Sequence, residues 1–365
     1  GRIPNSDPTP VPRSTAFRYK GQTADPQKAG RELKVRAVLT GRVTLRGDTL
    51  NIQAELVDVL KDSQLWGQQY NRKISDLAAV QEEIAREISE KLRLRLTGED
   101  KQRLARRQTA NPEAYQLYLQ GRHQWNRRTG EALRKSIEYY HQAIARDPGY
   151  ALAYAGLADS YAVLPIFSTV PGKEAYPKAK AAAETALKLD ETQAEAHATL
   201  GWIKTLFDLD WPGGEREYRR AIALNPNYPT AHHWYALHLS WSGRHAEALA
   251  MIKKAQQLDP LSPIIQTAAG WVYFAARQFD VALEQYRKAL DLDPNFPLAY
   301  ECLSWTYAQK GMFGTAVEAA QKAQTLGHPL GIGALGYAYA CGGNGVEAQK
   351  RIEELKGLQR WYDIA

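Results

Sequence analysis

Amphipathic segments along this chain keep ending in the same way. AIARDP (143–148), AIALNP (221–226), AQQLDP (255–260) and ALDLDP (289–294) each close on Asp-Pro or Asn-Pro, and ALKLDE (186–191) is the same segment with Glu191 in place of proline. Pro226, Pro260 and Pro294 are spaced by 34 residues. Proline lacks the backbone N–H and its ring clashes with the preceding turn, so each Asp/Asn-Pro stops one helix and turns the chain into the next. A helical unit repeated at a fixed period cannot bury its apolar face alone and must stack on its neighbours. Upstream of each stop, small and large residues alternate in a recurrent order. One unit reads Gly270, Tyr273, Ala282, Tyr286, Ala289, Pro294 and the next Tyr300, Leu303, Tyr307, Ala316, Ala323. Earlier units read Tyr235, Ala236, Leu239, Ala248, Ile252, Ala255, Pro260 and Tyr154, Leu157, Ala158, Tyr161, Ala179, Ala186. Small residues suit the places where two helices approach closely, and large ones fill the space toward the neighbouring pair.

These residues and this period resemble the tetratricopeptide repeat (TPR) over roughly residues 112–357. The resemblance implies a mainly α fold, an α-α superhelix of about seven helix pairs, preceded by a small α/β domain. The pairs fall near 112–148, 151–191, 194–226, 229–260, 263–294, 297–327 and 329–357, within a domain of 112–365. Four departures stand out. The first pair is expected to have a longer turn at Asn126–Gly130, and the second an inserted loop around Leu164–Gly172 with Pro165 and Pro171. The third enters through Trp211-Pro212 and has Gly214 where alanine is usual, and the sixth ends early at Gly327-His328-Pro329. Trp361–Ala365 read as the opening of a further helix, which suggests a piece of a longer chain.

Residues 1–98 follow another pattern. Ala37–Leu45, Leu50–Leu60 and Gln64–Ile74 predict three strands, the middle one alternating at Leu50, Ile52, Ala54 and Leu56. Gly47-Asp48 and Lys61-Asp62-Ser63 are turn signals, so the strands form an antiparallel meander. A short helix near Pro26–Leu33 precedes them. A second helix starts at Ser75 or Asp76, with the stripe Leu77, Val80, Ile84, Ile88 and Leu92 and the i,i+4 pairs Glu82/Arg86 and Glu87/Lys91. The run RSTAFRYKG…GRELKVRAVLTGRV…DTLNIQAELVDVLKDSQLWGQQYNR…LAAVQEEIAREI resembles the second half of the TolB amino-terminal-like domain, which precedes tetratricopeptide repeats in many bacterial proteins. The resemblance covers about residues 10–98 and leaves out a first strand and helix. It implies either completion by further chain or a sheet with an exposed edge, through which self-association is expected. It also implies a sensory or scaffolding module attached to a serine/threonine kinase, an adenylate cyclase or a winged-helix regulator. No kinase glycine-rich loop, catalytic loop or DFG motif occurs in this sequence.

The net charge of +7 resides entirely in residues 1–110. It is densest at Lys91, Arg93, Arg95, Lys101, Arg103, Arg106 and Arg107, across the end of the first domain and a basic linker at 99–111. Such a run suits an acidic partner, nucleic acid or lipid headgroups, and equally a solvated helix face at a domain junction. No aromatic residue interleaves with it, so single-stranded nucleic acid finds no stacking platform, and nucleic acid is not the expected partner. No run approaches eighteen apolar residues, so no membrane span is expected within these residues, and Gly1–Thr15 does not read as a secretory signal. Cys302 and Cys341 lie in apolar helical segments and read as small buried hydrophobes. They form no disulfide framework or CxxC site and do not fix a redox compartment.

Motifs that suggest chemistry lose it in context. Gly331-Ile332-Gly333-Ala334-Leu335-Gly336 matches GxGxxG, but a helix stop at His328-Pro329 precedes it where a dinucleotide site needs a strand. Cys341–Gly345 lacks the Lys-Ser/Thr of a phosphate loop and reads as a turn. His232, His233, His238 and His245 contain no i,i+4 pair and have no nearby cysteine, so no metal or other cofactor is expected. The carboxylates are dispersed over helix faces and there is no Gly-x-Ser-x-Gly elbow, so no enzymatic activity is expected.

The resemblance places the first helix of each pair on the concave surface, with the residue after each small position pointing inward. Those residues are Arg122, Asp159, Trp202, Leu237, Trp271 and Trp305. Trp gives large, rigid contact area at low entropic cost. Trp202, Trp271 and Trp305, with Phe274 one turn beyond Trp271 and His233, Thr267 and Glu301 nearby, are the candidate peptide-binding groove. The same tryptophans could instead pack between helices. Tyr118, Arg122, Ala155 and Asp159 do not supply the Lys/Asn/Arg set with which some family members hold a chaperone's carboxylate. The expectation is a protein or peptide ligand held by a scaffold or sensory module. The alternative is the regulatory region of a larger bacterial signalling enzyme or transcription regulator.

Overall fold

The computed structural model describes residues 25–357 except 34, 48, 62, 74–79, 81–82, 85 and 89–108. The basic run at 91–107, Leu77, Leu92 and the start of a helix at 361 lie outside the described residues. Two compact units divide the chain. One spans residues 18–119 with 142–150, and the other spans 120–141 and the helices from 151 onward.

In the first unit, α1 (Pro26–Glu32) starts where the Asp25 carboxylate accepts from the Gln27 N–H at 2.9 Å. Three antiparallel strands follow in the order β1 (Ala37–Arg46), β2 (Thr49–Asp58) and β3 (Ser63–Lys73). Leu39 pairs with Leu56, Val43 with Ile52, and Leu56 with Trp66, so these side chains share one face. On that face Leu50, Ile52, Ala54, Leu56, Trp66 and Tyr70 form a core with Val80, Ile84 and Ile88 of the following helical residues. The Trp66 indole N–H donates to Glu87 at 2.9 Å and fixes the helix to the sheet. β2 ends at Asp58 rather than Leu60, because its carboxylate turns back to accept from the N–H groups of Leu60 and Lys61. Leu39 and Val43 of β1 remain exposed.

From residue 112 onward the described helices form seven helix–turn–helix pairs: α2 (Pro112–Asn126) with α3 (Gly130–Arg146), α4 (Ala151–Phe167) with α5 (Gly172–Leu189), α6 (Ala194–Leu206) with α7 (Trp211–Leu224), and α8 (Pro229–Trp241) with α9 (His245–Leu258). Then come α10 (Pro263–Ala275) with α11 (Phe279–Leu292), α12 (Pro297–Gln309) with α13 (Phe313–Thr325), and α14 (Gly331–Cys341) with α15 (Gly345–Gly357). The stop signals act as the sequence implies. Asp190, Asn225, Asp259 and Asp293 leave the helical region with ψ of 103, 86, 78 and 98°, while each N–H still bonds to an alanine carbonyl in the last turn. Proline then occupies the first turn of α8, α10 and α12, where its missing N–H costs nothing.

Packing within pairs depends on how closely the backbones approach. Tyr140, Tyr218 and Tyr286 are fully buried. A β-carbon placed at Gly121 or Gly156 would lie 2.6 or 2.5 Å from the Tyr140 ring. At Gly201 it would lie 2.8 Å from Tyr218, and at Gly270 2.2 Å from Tyr286. The glycine is therefore the socket for the tyrosine.

Three sequence expectations are corrected. The first pair has an ordinary turn, Arg127-Arg128-Thr129, of the same length as Ser242-Gly243-Arg244 in the fourth. Most of the insertion at 164–172 is helix, since α4 continues through Pro165 to Phe167 and is a turn longer than its counterparts. Cys302 is buried, but Cys341 is exposed because it is the last residue of α14, beside the Gly342-Gly343 turn.

Replacing Gly270 by valine should destabilise the protein by about 1–3 kcal/mol, the cost of overfilling a packed contact. Gly314→Ala, with nothing near its added β-carbon, should be neutral or slightly stabilising. Urea unfolding of both variants distinguishes these outcomes.

Candidate functional site

Because Gly201 and Gly270 face the second helix of their own pairs, the next residue in each is rotated toward the inner face. Trp202, Leu237, Trp271 and Trp305 all reach one apolar cavity of about 310 Å³. His233, Thr267 and Glu301 lie one helical turn before Leu237, Trp271 and Trp305, and line the same cavity. Thus six of the seven residues singled out from sequence converge. Phe274 does not line the cavity, and instead its ring stacks on Trp271 at 5.3 Å and meets Phe279 at 5.6 Å, bracing the indole.

The inner face narrows at this level into a partly enclosed cavity. The extra turn of α4 carries Ile166 and Phe167 to the cavity wall, and the Phe167 ring meets the His328 ring at 6.3 Å. Leu330, just beyond His328, completes that side. Trp234 and Trp241, three residues before and four after Leu237, also line the cavity; reading α8 at i,i+3 and i,i+4 from Leu237 would have found both. The three expected tryptophans differ in character. Trp202 is only 3% exposed, and its ring sits 5.1 Å from Trp234 and 5.8 Å from Trp241, so it is largely a packing residue. Trp271 and Trp305 are half-buried, and Trp305 leans on Tyr337 at 4.4 Å.

A polar cluster adjoins the apolar wall. Asp159, fully buried, accepts from Arg122 at 2.9 Å, Thr199 at 2.6 Å and the Tyr228 hydroxyl at 3.3 Å. Burial pushes its carboxyl pKa up, against the pull of Arg122. Arg128 was not singled out from sequence, because it occupies a turn outside the helical periodicity. Its guanidinium lies 3.5 Å from the centre of the Trp125 ring, whose other contact is Arg122 at 4.2 Å. Arg128 is 3% exposed and lines the cavity. Burial brings its pKa down to about 9, which leaves it cationic at neutral pH. Glu301 faces His328 at 3.3 Å.

The histidines have separate local environments. His232 Nε2 donates to the Pro226 carbonyl at 2.9 Å, and His238 Nδ1 lies 3.0 Å from the Thr205 hydroxyl. Among the described residues no three His, Cys, Asp or Glu side chains are grouped to hold a metal ion. The GxGxxG run at 331–336 is the beginning of α14 itself. No described helix is long and apolar enough to cross a membrane.

Comparison with known proteins agrees with this architecture. Residues 208–263 match the tetratricopeptide repeat family and residues 270–311 the TPR repeat family, so these helix pairs are tetratricopeptide repeats. The protein named "Putative adenylate cyclase 3" of Rhizobium meliloti (strain 1021) is 32% identical over 205 residues, covering 54% of this chain and 34% of that protein. The transcriptional regulator HilA of Salmonella typhimurium is 26% identical over 167 residues, covering 46% of this chain and 30% of the regulator. The chain thus spans about a third of the length of these curated relatives. Among solved structures, the type IV pilus biogenesis factor PilW aligns with a TM-score of 0.45 at 22% identity, covering 57% of this chain and 92% of that one. YrrB, described as a TPR protein with an unusual peptide-binding site, aligns with a TM-score of 0.31 at 25% identity, covering 53% and 92%.

His233 gives the cavity a pH signature. Burial, reinforced by the charge of Arg128, lowers its pKa from 6.5 to about 3. As pH falls below 6.5, the unfolded chain binds a proton at His233 that the folded chain does not accept until about pH 3. Stability held at neutral pH is therefore lost progressively across that window, by about 2 kcal/mol from this group at pH 5. Asp159, with its raised pKa, works in the opposite sense. Comparing His233→Gln with the parent isolates the histidine: the variant should lose less stability between pH 7 and pH 5 in thermal melts.

Proposed function

We propose that the solenoid is a non-catalytic scaffold that holds a protein or peptide segment at its inner face, with Trp271 and Trp305 as the anchoring wall. His233, Thr267 and Glu301 supply polar contacts, and Phe274 braces Trp271. The observation that carries this reading is the gathering of half-buried tryptophans from successive repeats around one apolar cavity. Large aromatic surfaces in a concave, water-poor setting are what binding hot spots are made of.

The scaffold reading extends to the whole protein as follows. The chain is a regulatory or sensory region of a larger bacterial signalling protein, with a partial TolB amino-terminal-like module ahead of the repeats. The names of the cyclase and regulator relatives support it, as does the meander-plus-helix core at Val80 and Trp66.

A displayed peptide library selected on the full chain tests the site. Trp271→Ala and Trp305→Ala should weaken the selected peptides tenfold or more, about 1.4 kcal/mol, while melting cooperatively. If either variant unfolds, or stays folded and binds as well as the parent, the tryptophans are packing residues and the site lies elsewhere.

A further inference from the structure

Arg128 is costly where it stands. Its backbone has φ of 50°, the left-handed region, in the turn position that Gly243, Gly311 and Gly343 occupy in other pairs. Arg277 holds the same position in the fifth pair with φ of 59°, yet its side chain is exposed. The turn therefore does not force the arginine inward. At Arg128 the side chain is more than nine-tenths buried and its Nε has no acceptor. Asp159 is the nearby anion, but its oxygens already serve Arg122, Thr199 and Tyr228. Glu195 faces Asp159 and Arg122 rather than Arg128, and burial raises its pKa.

The rest of the cavity wall has the same bias. The indole N–H of Trp271, a donor only, is buried without an acceptor, while that of Trp202 turns to the Tyr176 hydroxyl. Glu301 is the one carboxylate on the wall, and it faces His328. An occupant that suits this wall is apolar over most of its surface and carries a negatively charged acceptor for Arg128. A volume of about 310 Å³ is at the low end for a small-molecule site and too small for a folded segment.

We propose that the cavity binds a small apolar carboxylic acid, its carboxylate on Arg128 and its hydrocarbon between Trp202, Trp271 and Trp305. Charge-assisted contact with a carboxylate gives the Arg128 guanidinium a hydrogen-bonded anion of its own. The apolar chain displaces water from a wall that cannot hydrogen-bond it well. This inference goes beyond the scaffold reading, adding a small-molecule ligand to a module proposed to hold a protein.

The test uses the full chain at pH 7, titrated with decanoate and with decan-1-ol while tryptophan emission is followed. Decanoate should give a saturable change at a concentration at least tenfold lower than decanol. Arg128→Gly suits the left-handed backbone and should fold, bind decanol as the parent does and lose the preference for decanoate. Equal response to acid and alcohol, no saturable response to either, or an undiminished preference in Arg128→Gly would overturn the proposal. The parent comparison stands even if the variant does not fold. An apolar tetrapeptide with a free or an amidated C-terminus is run alongside. Tighter binding of the peptide acid than of decanoate would overturn the assignment to a small acid in favour of a chain terminus. Failure here leaves the peptide selection unaffected, and failure of that selection leaves decanoate binding standing.

Discussion

The solenoid depends on tyrosine rings seated against glycine. Tyr286 occupies the volume that a side chain at Gly270 would need, and Tyr218 does the same at Gly201. Tyr140 is shared between Gly121 of its own pair and Gly156 of the next, so one ring joins two repeats. The fourth pair keeps the balance with Ala236 and Ile252, both fully buried. Volume is conserved while the partition between helices changes, as expected of an interior at crystal-like density. This contact fixes the rotation of each first helix about its axis. Once Gly201 and Gly270 face outward to their partners, Trp202 and Trp271 have no freedom about where they point.

The inner face follows from that rotation, and so does its composition. Residues at four-residue spacing along the first helices, such as His233, Leu237 and Trp241, form continuous rows. Rows from successive repeats then meet at one cavity. The same geometry makes Trp202 ambiguous. A residue deep in the inner curve contacts its neighbours' rows as well as the cavity, and Trp202 is accordingly held between Trp234 and Trp241. Packing and binding are therefore not exclusive alternatives along this surface. Exposure grades them, from Trp202 to the half-buried Trp271 and Trp305.

Much of this was legible in the sequence because it is periodic. Proline stops, small-residue sockets and inward positions recur at a fixed interval, and one well-read unit predicts the next. The meander was legible for the same reason, through the alternation of Leu50, Ile52, Ala54 and Leu56. What escaped was what breaks the period. The insertion at Leu164–Gly172 contains two prolines and reads as a loop, yet α4 runs through Pro165, and Phe167 reaches His328. That contact joins residues far apart in sequence and narrows the inner face beside the cavity, and no local pattern encodes it. Arg128 escaped likewise, because a turn residue has no helical phase to reveal where its side chain goes.

The buried charges show why such an exception is informative. Asp159 is held by three donors, and Arg122 discharges into it at 2.9 Å while keeping a face toward Trp125. Arg128 adds a second cation to a site already balanced by one carboxylate. It stands beside His233, which burial and that same charge hold neutral. Stacking on Trp125 offsets part of the desolvation, by about 2 kcal/mol for a desolvated cation–π contact. An isolated buried ion costs several kcal/mol, so the balance is unfavourable without a further partner. Glycine in this turn, as at Gly243 and Gly311, would relieve both the backbone and the charge. An arginine that carries two independent costs, and borders a largely apolar cavity, is the observation from which the proposed acid site is argued.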